Sequence, residues 1–171
     1  MNETLIIPLD AETKVAERPA DHKAELRLWL RLFTCKTVIE GEVRRRLRDT
    51  FGVTFPRFDL MAQLDRVPGG MTLGELSARM MVSNGNVTGL VERLVAQGLI
   101  DRRPSPSDRR AQIVSLTAEG RKSFRAMARA NEGWIAEVFA DLSPDEIETL
   151  LRLLAKTKTS ARKAVARGES R

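Results

Sequence analysis

Residues 72–117 decide the fold of this chain and read TLGELSARMMVSNGNVTGLVERLVAQGLIDRRPSPSDRRAQIVSLT. At their start, Thr72 and Glu75 have the spacing of a capping box, in which each side chain bonds the other residue's backbone N–H. Ser83 stands where a second helix can begin, and Gly98 stands where that helix can end in the left-handed conformation. Apolar residues recur at helical spacing in both segments. The stretch therefore predicts two short helices joined by a turn.

The outward face of the second helix is small and uncharged in its N-terminal half. Asn84, Asn86 and Thr88 offer amide and hydroxyl groups there, and Gly85 and Gly89 let the backbone approach a partner closely. A helix that enters the DNA major groove, about 12 Å wide, reads base edges with its N-terminal residues. Asparagine can pair with adenine through two hydrogen bonds, and a threonine methyl can contact thymine. The pattern favours a recognition helix over an ordinary polar surface helix.

A β-hairpin with a basic tip is predicted next. Residues 113–116 favour a strand, and the Pro/Ser-rich residues 104–107 favour a turn. Arg102 and Arg103 lie on the rising strand, and residues 108–110 read Asp-Arg-Arg. A guanidinium on a thin hairpin fits the narrow, electronegative minor groove, and an aspartate can hold it in a bidentate pair. The alternative, a solvated charge cluster, does not explain why the hairpin follows such a helix.

Two groups of residues in this stretch resemble the MarR family of bacterial transcription regulators. The family's wing signature is matched by Asp101-Arg-Arg103, Asp108-Arg-Arg110 and Val114-Ser-Leu-Thr117 with Gly120. The end of its recognition helix is matched by Asn86-Val-Thr88, Leu94 and Gly98-Leu-Ile100. The resemblance extends over roughly residues 22–165 and implies a winged helix-turn-helix protein that binds double-stranded DNA.

The resemblance also implies which residues contact DNA. Arg110 matches the wing-tip arginine that enters the minor groove in the family, and Asp108 matches the acid that orients it. Four residues of the second helix match the groove-facing positions. With the other arginines of the helix and hairpin, the predicted DNA-binding residues are Ser83, Asn84, Asn86, Thr88, Arg93, Arg102, Arg103, Asp108, Arg109 and Arg110.

The flanking segments predict a helical layer that joins two copies of the chain. A long helix capped by Asp21 has apolar residues on two faces, and such a helix needs two neighbours. The fold class is therefore mostly α (α+β), a winged helix-turn-helix with a dimerisation layer, as the family resemblance also implies. The predicted divisions are a flexible tail (1–20), an N-terminal dimerisation helix (21–50), the DNA-binding domain (54–117), C-terminal dimerisation helices (118–165) and a basic tail (166–171). A homodimer presents two recognition helices to a pseudo-palindromic site.

Composition narrows the class of function. The chain has 171 residues, 29 Lys plus Arg against 23 Asp plus Glu, and a net charge of +6, a balance that favours polyanionic partners. No apolar run approaches the ~20 residues of a membrane span, and no signal peptide is evident, so a cytoplasmic protein is expected. His22 is the single histidine and has no catalytic partner at readable spacing. Without a glycine-rich phosphate loop or metal-ligand spacing, neither an enzyme nor a cofactor is predicted.

A small-molecule effector is implied by the resemblance, in a cleft where the dimer helices meet the winged domain. Aromatic and methionine side chains suit a flat apolar ligand, and arginines suit its anionic group. The predicted ligand-binding residues are Arg27, Trp29, Arg31, Phe33, Phe51, Phe55, Phe58, Met61 and Phe124. The chain is similar to family members that sense aromatic carboxylates or their coenzyme A thioesters. This likeness predicts a repressor of aromatic compound catabolism; the alternative for each aromatic residue is an ordinary core position.

Two alternative functions remain open from the sequence. An oxidant sensor would use Cys35, the single cysteine, but that residue falls on an apolar stripe, where a buried cysteine is usually inert. The family's oxidant sensors pair such a cysteine with tyrosines, and this chain has none. A sequence-tolerant architectural protein would bind many DNA sequences alike and ignore small ligands.

Overall fold

The computed structural model describes residues 23–106 and 111–168. Its elements in chain order are α1 (Ala24–Phe51), α2 (Phe55–Asp65), β1 (Met71–Thr72), α3 (Leu73–Met80), α4 (Asn84–Ala96), β2 (Ile100–Pro104), β3 (Gln112–Leu116), α5 (Ala118–Val138) and α6 (Pro144–Gly168). The chain divides into two compact units, Met1–Asn131 and Glu132–Arg171. The predicted tail 1–20, the predicted cap Asp21 and the predicted contacts Asp108, Arg109 and Arg110 lie outside the described residues.

The helix-turn-helix of α3 and α4 forms from the predicted signals. The Glu75 backbone N–H donates to the Thr72 hydroxyl at 3.2 Å, and the Thr72 N–H donates to the Glu75 carboxylate at 2.7 Å. The Thr72 hydroxyl also donates to this carboxylate at 2.9 Å, and the bond from the Thr72 N–H, followed by the bond from the hydroxyl, lowers the pKa of Glu75. Ser83 occupies the N-cap position of α4, but its side chain makes no capping bond. Val87 and Val91 are fully buried, so the inner face of α4 packs as predicted.

The hairpin belongs to a three-stranded sheet ordered β1-β3-β2, with both pairings antiparallel. The two-residue strand β1 was not predicted, and it pairs Met71 with Val114. Gly70, at φ +79°, allows this approach, because a Cβ there would lie 2.5 Å from the Val114 carbonyl oxygen. Residues 69–72 therefore add a third strand to the wing. No local sequence pattern indicated this pairing, because the two strands are far apart in the chain.

A close backbone contact ties the base of the hairpin to α5. A Cβ on Gly120 would lie 2.0 Å from the Leu99 carbonyl oxygen. The Thr117 hydroxyl caps α5 by accepting from the Gly120 N–H at 2.9 Å, and it donates to the Gly98 carbonyl at 2.8 Å. Thr117 therefore caps α5 and also fixes the chain where α4 ends and β2 begins.

The long helix α1 is buried only toward its C-terminal end. It begins after Lys23 rather than after Asp21 and ends at Gly52, whose φ is +63°. Val43 and Leu47 are buried, whereas its first half exposes Leu26, Leu28, Trp29, Phe33 and Val38. Ion pairs run along the surface of α1 from Lys36 to Asp49. Among them, hydrogen bonds from Arg45 and Arg46 lower the pKa of Glu42 to about 2. Half of α1 thus presents apolar surface that the single chain leaves open.

Helix α6 is longer than predicted. A capping box begins it: the Ser143 N–H donates to the Glu146 carboxylate at 2.8 Å, and the Glu146 N–H donates to the Ser143 hydroxyl at 3.3 Å. The C-terminal helices were predicted to end at residue 165, and α6 continues to Gly168, through the first residues of the predicted basic tail. Between Pro144 and Gly168 there is no proline or glycine, and Leu, Ala, Lys and Arg predominate, all strong helix formers. No residue of α6 is buried in the single chain.

Residues 23–106 and 111–168 contain neither a candidate membrane-spanning helix nor a candidate metal site. No helix there combines the length and apolar character that crossing a bilayer requires. No group of three or more His, Cys, Asp or Glu side chains there is arranged to hold a metal ion.

Candidate nucleic-acid interface

The outermost ridge of α4 is formed by glycines. Gly85 and Gly89 lie one helical turn apart, on the side opposite the buried Val87 and Val91. A Cβ added at either glycine meets no atom within 4 Å. Each glycine costs about 1 kcal/mol relative to alanine inside a helix, and the packing of the chain gives no reason for that cost. The absence of side chains here leaves room for a partner outside the chain.

The polar residues around this ridge differ in how free they are. The Asn84 side-chain oxygen accepts a hydrogen bond from the Ser77 hydroxyl, which ties α4 to α3. The Thr88 hydroxyl donates to the Asn84 backbone carbonyl at 2.9 Å, so its methyl group and lone pairs remain. The side chain of Asn86 is exposed, and its amide group makes no hydrogen bond within the described residues. Of the two asparagines, Asn86 therefore keeps its full set of donors and acceptors.

A shallow groove of about 380 Å³ runs along one flank of α4. Its α4 wall includes Gly85, Asn86, Gly89 and Arg93, and its other wall is largely apolar. Arg93 is exposed and has no ion-pair partner in the described part of the chain. The groove thus brings two of the predicted DNA-binding residues, Asn86 and Arg93, onto one surface with the glycine ridge.

The two arginines in the described part of the hairpin differ in their internal hydrogen bonding. Arg102 and Arg103 are both exposed on β2, opposite Val114 and Ile113 of β3. Arg103 donates to the Gly69 carbonyl at 2.7 Å, which holds the turn before β1. Arg103 was predicted only as a DNA contact, and the structure gives one of its amino groups an internal role. Ser83 is exposed at the start of α4, so it remains available as predicted.

The nine predicted ligand residues fall into two groups. Trp29 and Phe33 are in ring contact at 6.1 Å on the open half of α1. The second group joins Phe55 to Phe58 at 6.4 Å and Phe58 to Phe124 at 5.6 Å. Arg27 and Arg31 belong with the first group by position; Phe51 and the fully buried Met61 fall nearer the second in sequence.

The distance along α1 keeps these groups apart within one chain. Phe33 and Phe51 are eighteen residues apart on the same helix, which corresponds to about 27 Å at 1.5 Å per residue. A pocket for a small ligand typically encloses only about 300–1,000 Å³. The predicted set therefore does not line one pocket of a single chain.

Sequence reasoning missed a cation beside the second aromatic group. The Arg44 guanidinium lies 5.0 Å from the centre of the Phe55 ring, and it is also paired with Glu40. Arg44 follows Glu40 by one helical turn, a spacing that indicates the ion pair. Nothing in the sequence indicated the contact with Phe55, because that ring comes from another helix.

Cys35 is exposed on α1. The expectation that it is buried in an apolar stripe is wrong, because the first half of α1 packs against little of its own chain.

Comparison with known proteins identifies the family. The MarR family model matches residues 51–111. The transcriptional activatory protein BadR of Rhodopseudomonas palustris is 32% identical over 152 residues, which are 85% of this chain and 86% of that protein. A MarR family transcriptional regulator from Silicibacter pomeroyi is 30% identical, with a TM-score of 0.67 over 85% of this chain and 98% of that one.

A second solved structure shares the fold at lower identity. A mutant MarR from E. coli, crystallised in complex with operator DNA, is 24% identical, with a TM-score of 0.66 over 84% of this chain and 96% of that one. The relatives with assigned roles are regulators and not enzymes, which agrees with the predicted lack of catalytic residues. The helix-turn-helix, the wing and these similarities lead to one conclusion: the chain belongs to the MarR family of DNA-binding transcriptional regulators.

Proposed function

We propose that this regulator is a homodimer that holds a pseudo-palindromic DNA duplex and releases it when a small aromatic acid or its coenzyme A thioester binds. The observation that carries DNA binding is the outer face of α4. There, two glycines without any internal packing role lie beside the unpaired amide of Asn86. A major groove about 12 Å wide admits an α-helix, and the absence of side chains at these two positions lets the backbone of α4 come close to the bases.

The dimer is supported by apolar surface at both ends of the chain. In the single chain, Leu150 is 42% exposed, Leu151 58% and Leu154 44%. Together with Ile147 they recur at helical spacing on α6, a pattern typical of a helix packed on one side. Patches of this kind mark interaction sites on soluble proteins. A second copy of the same chain buries these patches and supplies the second recognition helix that a two-fold DNA site requires.

Glu92 limits how much of α4 enters the groove. Its carboxylate is exposed on the same outward side as Gly85 and Gly89, two turns from the helix start. A carboxylate facing backbone phosphates is repelled, so the duplex contact concentrates on the first two turns. That half of the helix carries Asn86 and Thr88, the residues able to read base edges.

The effector site is proposed at the aromatic group of Phe55, Phe58 and Phe124. Phe55 and Phe58 are half-buried, so part of each ring remains accessible. A flat ligand can stack on these rings, and its carboxylate can compete with Glu40 for Arg44, which lies over Phe55. An effector that binds the released form better by ~1–3 kcal/mol weakens DNA binding about 5–150-fold.

The effector is tested by calorimetric titration of the protein with benzoic and phenolic acids and with their coenzyme A thioesters. Binding is expected for one class, and it should weaken at least about fivefold in an Arg44→Gln variant if the ligand is anionic. Arg48→Gln, which removes the same charge from an exposed position one turn further on α1, is the control. No heat from either class contradicts the proposed effector.

The sign of regulation is proposed as repression, as the family resemblance implies, whereas the relative BadR is named an activatory protein. The same release of DNA can raise or lower transcription, depending on where the site lies relative to the promoter. A reporter with the operator placed across the promoter measures repression directly. Expression that rises when the protein is present would replace the repressor proposal with activation.

Sequence-specific and architectural binding differ in a competition assay. A regulator is expected to prefer its own promoter fragment over bulk genomic DNA by about 10³–10⁷-fold. An architectural protein binds both alike. Fluorescence anisotropy with a labelled promoter fragment and unlabelled bulk DNA gives the ratio. A ratio near one would support the architectural alternative.

An Asn86→Ala variant is expected to relax base preference without loss of stability. The amide has no partner inside the described chain, so only contacts with DNA are lost, at ~1–3 kcal/mol for one base pair. Asn84→Ala is the contrast, because it breaks the bond to Ser77 and should lower the melting temperature. Binding to a set of single-base-pair operator variants gives the measurement. Unchanged preferences in Asn86→Ala would remove this residue from the base contacts.

A further inference from the structure

Arg57, on the first turn of α2, carries a buried donor without a partner. Its Nε is shut off from solvent and makes no hydrogen bond in the described part of the chain. Burial lowers the pKa of this guanidinium, because removal of water disfavours the charged form. An unmet donor on a charged group is costly. The fold itself therefore draws no stability from an arginine at this position.

A cavity of about 130 Å³ lies beside this side chain and holds a second arginine. Arg57 and Arg93 both line it, with Thr54 and Gln97 as uncharged polar neighbours, and none of its lining residues is acidic. Two guanidinium groups around one small space repel each other unless an anion lies between them. A space of this size can hold a single oxyanion group.

We infer that Arg57 and Arg93 together bind one backbone phosphate of the DNA duplex. The inference rests on the proposed DNA binding and adds a contact that the sequence did not indicate. Arg93 lines both this cavity and the groove that contains Gly85 and Gly89. The phosphate site therefore adjoins the base-reading face, on the flank of α4. Such a contact fixes the register of the helix on the duplex but carries no sequence information.

The orphaned Nε of Arg57 fits this role. A guanidinium binds a phosphate through two parallel hydrogen bonds, and Nε is one of the donors in that fork. Because Nε is closed to solvent in the free protein, the guanidinium has to turn toward the cavity for this bond to form, and the unmet donor then becomes satisfied in the complex. A free phosphate or an effector carboxylate offers the same chemistry, so the experiment includes an arm for a free anion.

The test compares the salt dependence of DNA binding in the full-length parent and in Arg57→Gln. The substitution removes one phosphate contact from each protomer of the dimer, so at ~0.9 per contact it lowers the slope of log K against log salt by about 1.8. We expect this reduction on the promoter fragment and on unrelated DNA alike, with a melting temperature that is unchanged or higher. Arg129→Gln, which removes the same charge from an exposed position on α5, is expected to keep the parent slope. Arg57→Lys, which keeps the charge without the fork, should restore most of the slope.

The outcomes separate the possible errors. A parent that does not bind duplex DNA refutes the proposed function itself. A parent that binds DNA, with an equal slope in Arg57→Gln, overturns the phosphate site alone. If millimolar inorganic phosphate raises the melting temperature of the parent while the slopes stay equal, the cavity takes a free anion and the duplex assignment is overturned. A fall in melting temperature in both Arg57→Gln and Arg57→Lys would make Arg57 a structural residue and also overturn the site.

Discussion

A variant carrying Leu150→Asp and Leu154→Asp is expected to be a monomer and to lose operator affinity by about 10²–10⁴-fold. The two side chains lie one turn apart on α6 and are exposed in the single chain. In a dimer interface, the new carboxylates would be buried without partners, which is strongly unfavourable. In the dimer, binding of one protomer to its half-site holds the other protomer close to the second half-site. A monomer loses this effect of linkage, which accounts for the expected loss of about 10²–10⁴-fold in affinity.

Light scattering after gel filtration measures the mass, and anisotropy measures the affinity. The control is Thr159→Asp with Ala166→Asp, which adds the same charge at two exposed positions of α6 on the side away from Leu150 and Leu154. This control should remain a dimer with parental affinity. If the leucine variant stays dimeric, α6 does not form the interface, and the proposed assembly is wrong.

Replacing Gly85 and Gly89 together by alanine is expected to stabilise the protein and weaken its DNA binding. Gly89 lies inside α4, where its replacement gains about 0.5–1 kcal/mol, whereas Gly85 is the second residue of the helix and its replacement gains less. Neither new Cβ meets an atom within 4 Å. A combined gain of about 1 kcal/mol raises the melting temperature by roughly 2–4 °C for a chain of this size. Methyl groups on the leading ridge of α4 hold the helix away from the base edges, so affinity should fall at least about tenfold.

Gly133 provides the matched control for this pair. It lies inside α5, where an added Cβ also meets nothing within 4 Å, so Gly133→Ala should stabilise the protein without affecting DNA binding. Thermal unfolding and anisotropy on the same samples give both quantities. A Gly85, Gly89 double variant that is more stable and binds with parental affinity would show that this ridge does not enter the groove.

Local chemistry made the winged part of the chain predictable. The capping boxes at Thr72 and Ser143 and the cap at Thr117 depend on side chains within three residues of the helix start. Such signals can be read directly from spacing. The predicted class of fold is confirmed by these elements and by the family comparison.

Features that depend on distant residues were not predictable. The strand β1 exists because Met71 meets Val114 across more than forty residues, and Gly70 permits that meeting by lacking a side chain. The last turns of α6 look like a solvated tail because their charged residues give a weak apolar pattern. Helix propensity alone carries α6 to Gly168.

The candidate site was predictable in its residue types but not in their roles. The sequence identified the polar face of α4, yet it could not show that Asn84 is engaged with Ser77 while Asn86 is free. It placed Arg103 on the hairpin without its bond to Gly69. It gave no signal for Arg57, because the orphaned donor arises only when α2 packs beside α4.

The contact between Gly120 and Leu99 couples the position of α5 to the recognition helix α4 and to the wing. No side chain separates the two backbones there, and Thr117 clamps the same point to the end of α4. One turn further along α5, Phe124 contacts the ring of Phe58. If the proposed effector binds between those rings, the displacement of α5 that it causes would reach the recognition helix and the wing together through this contact. The proposed release of DNA would then require no contact between the effector and a residue that reads a base.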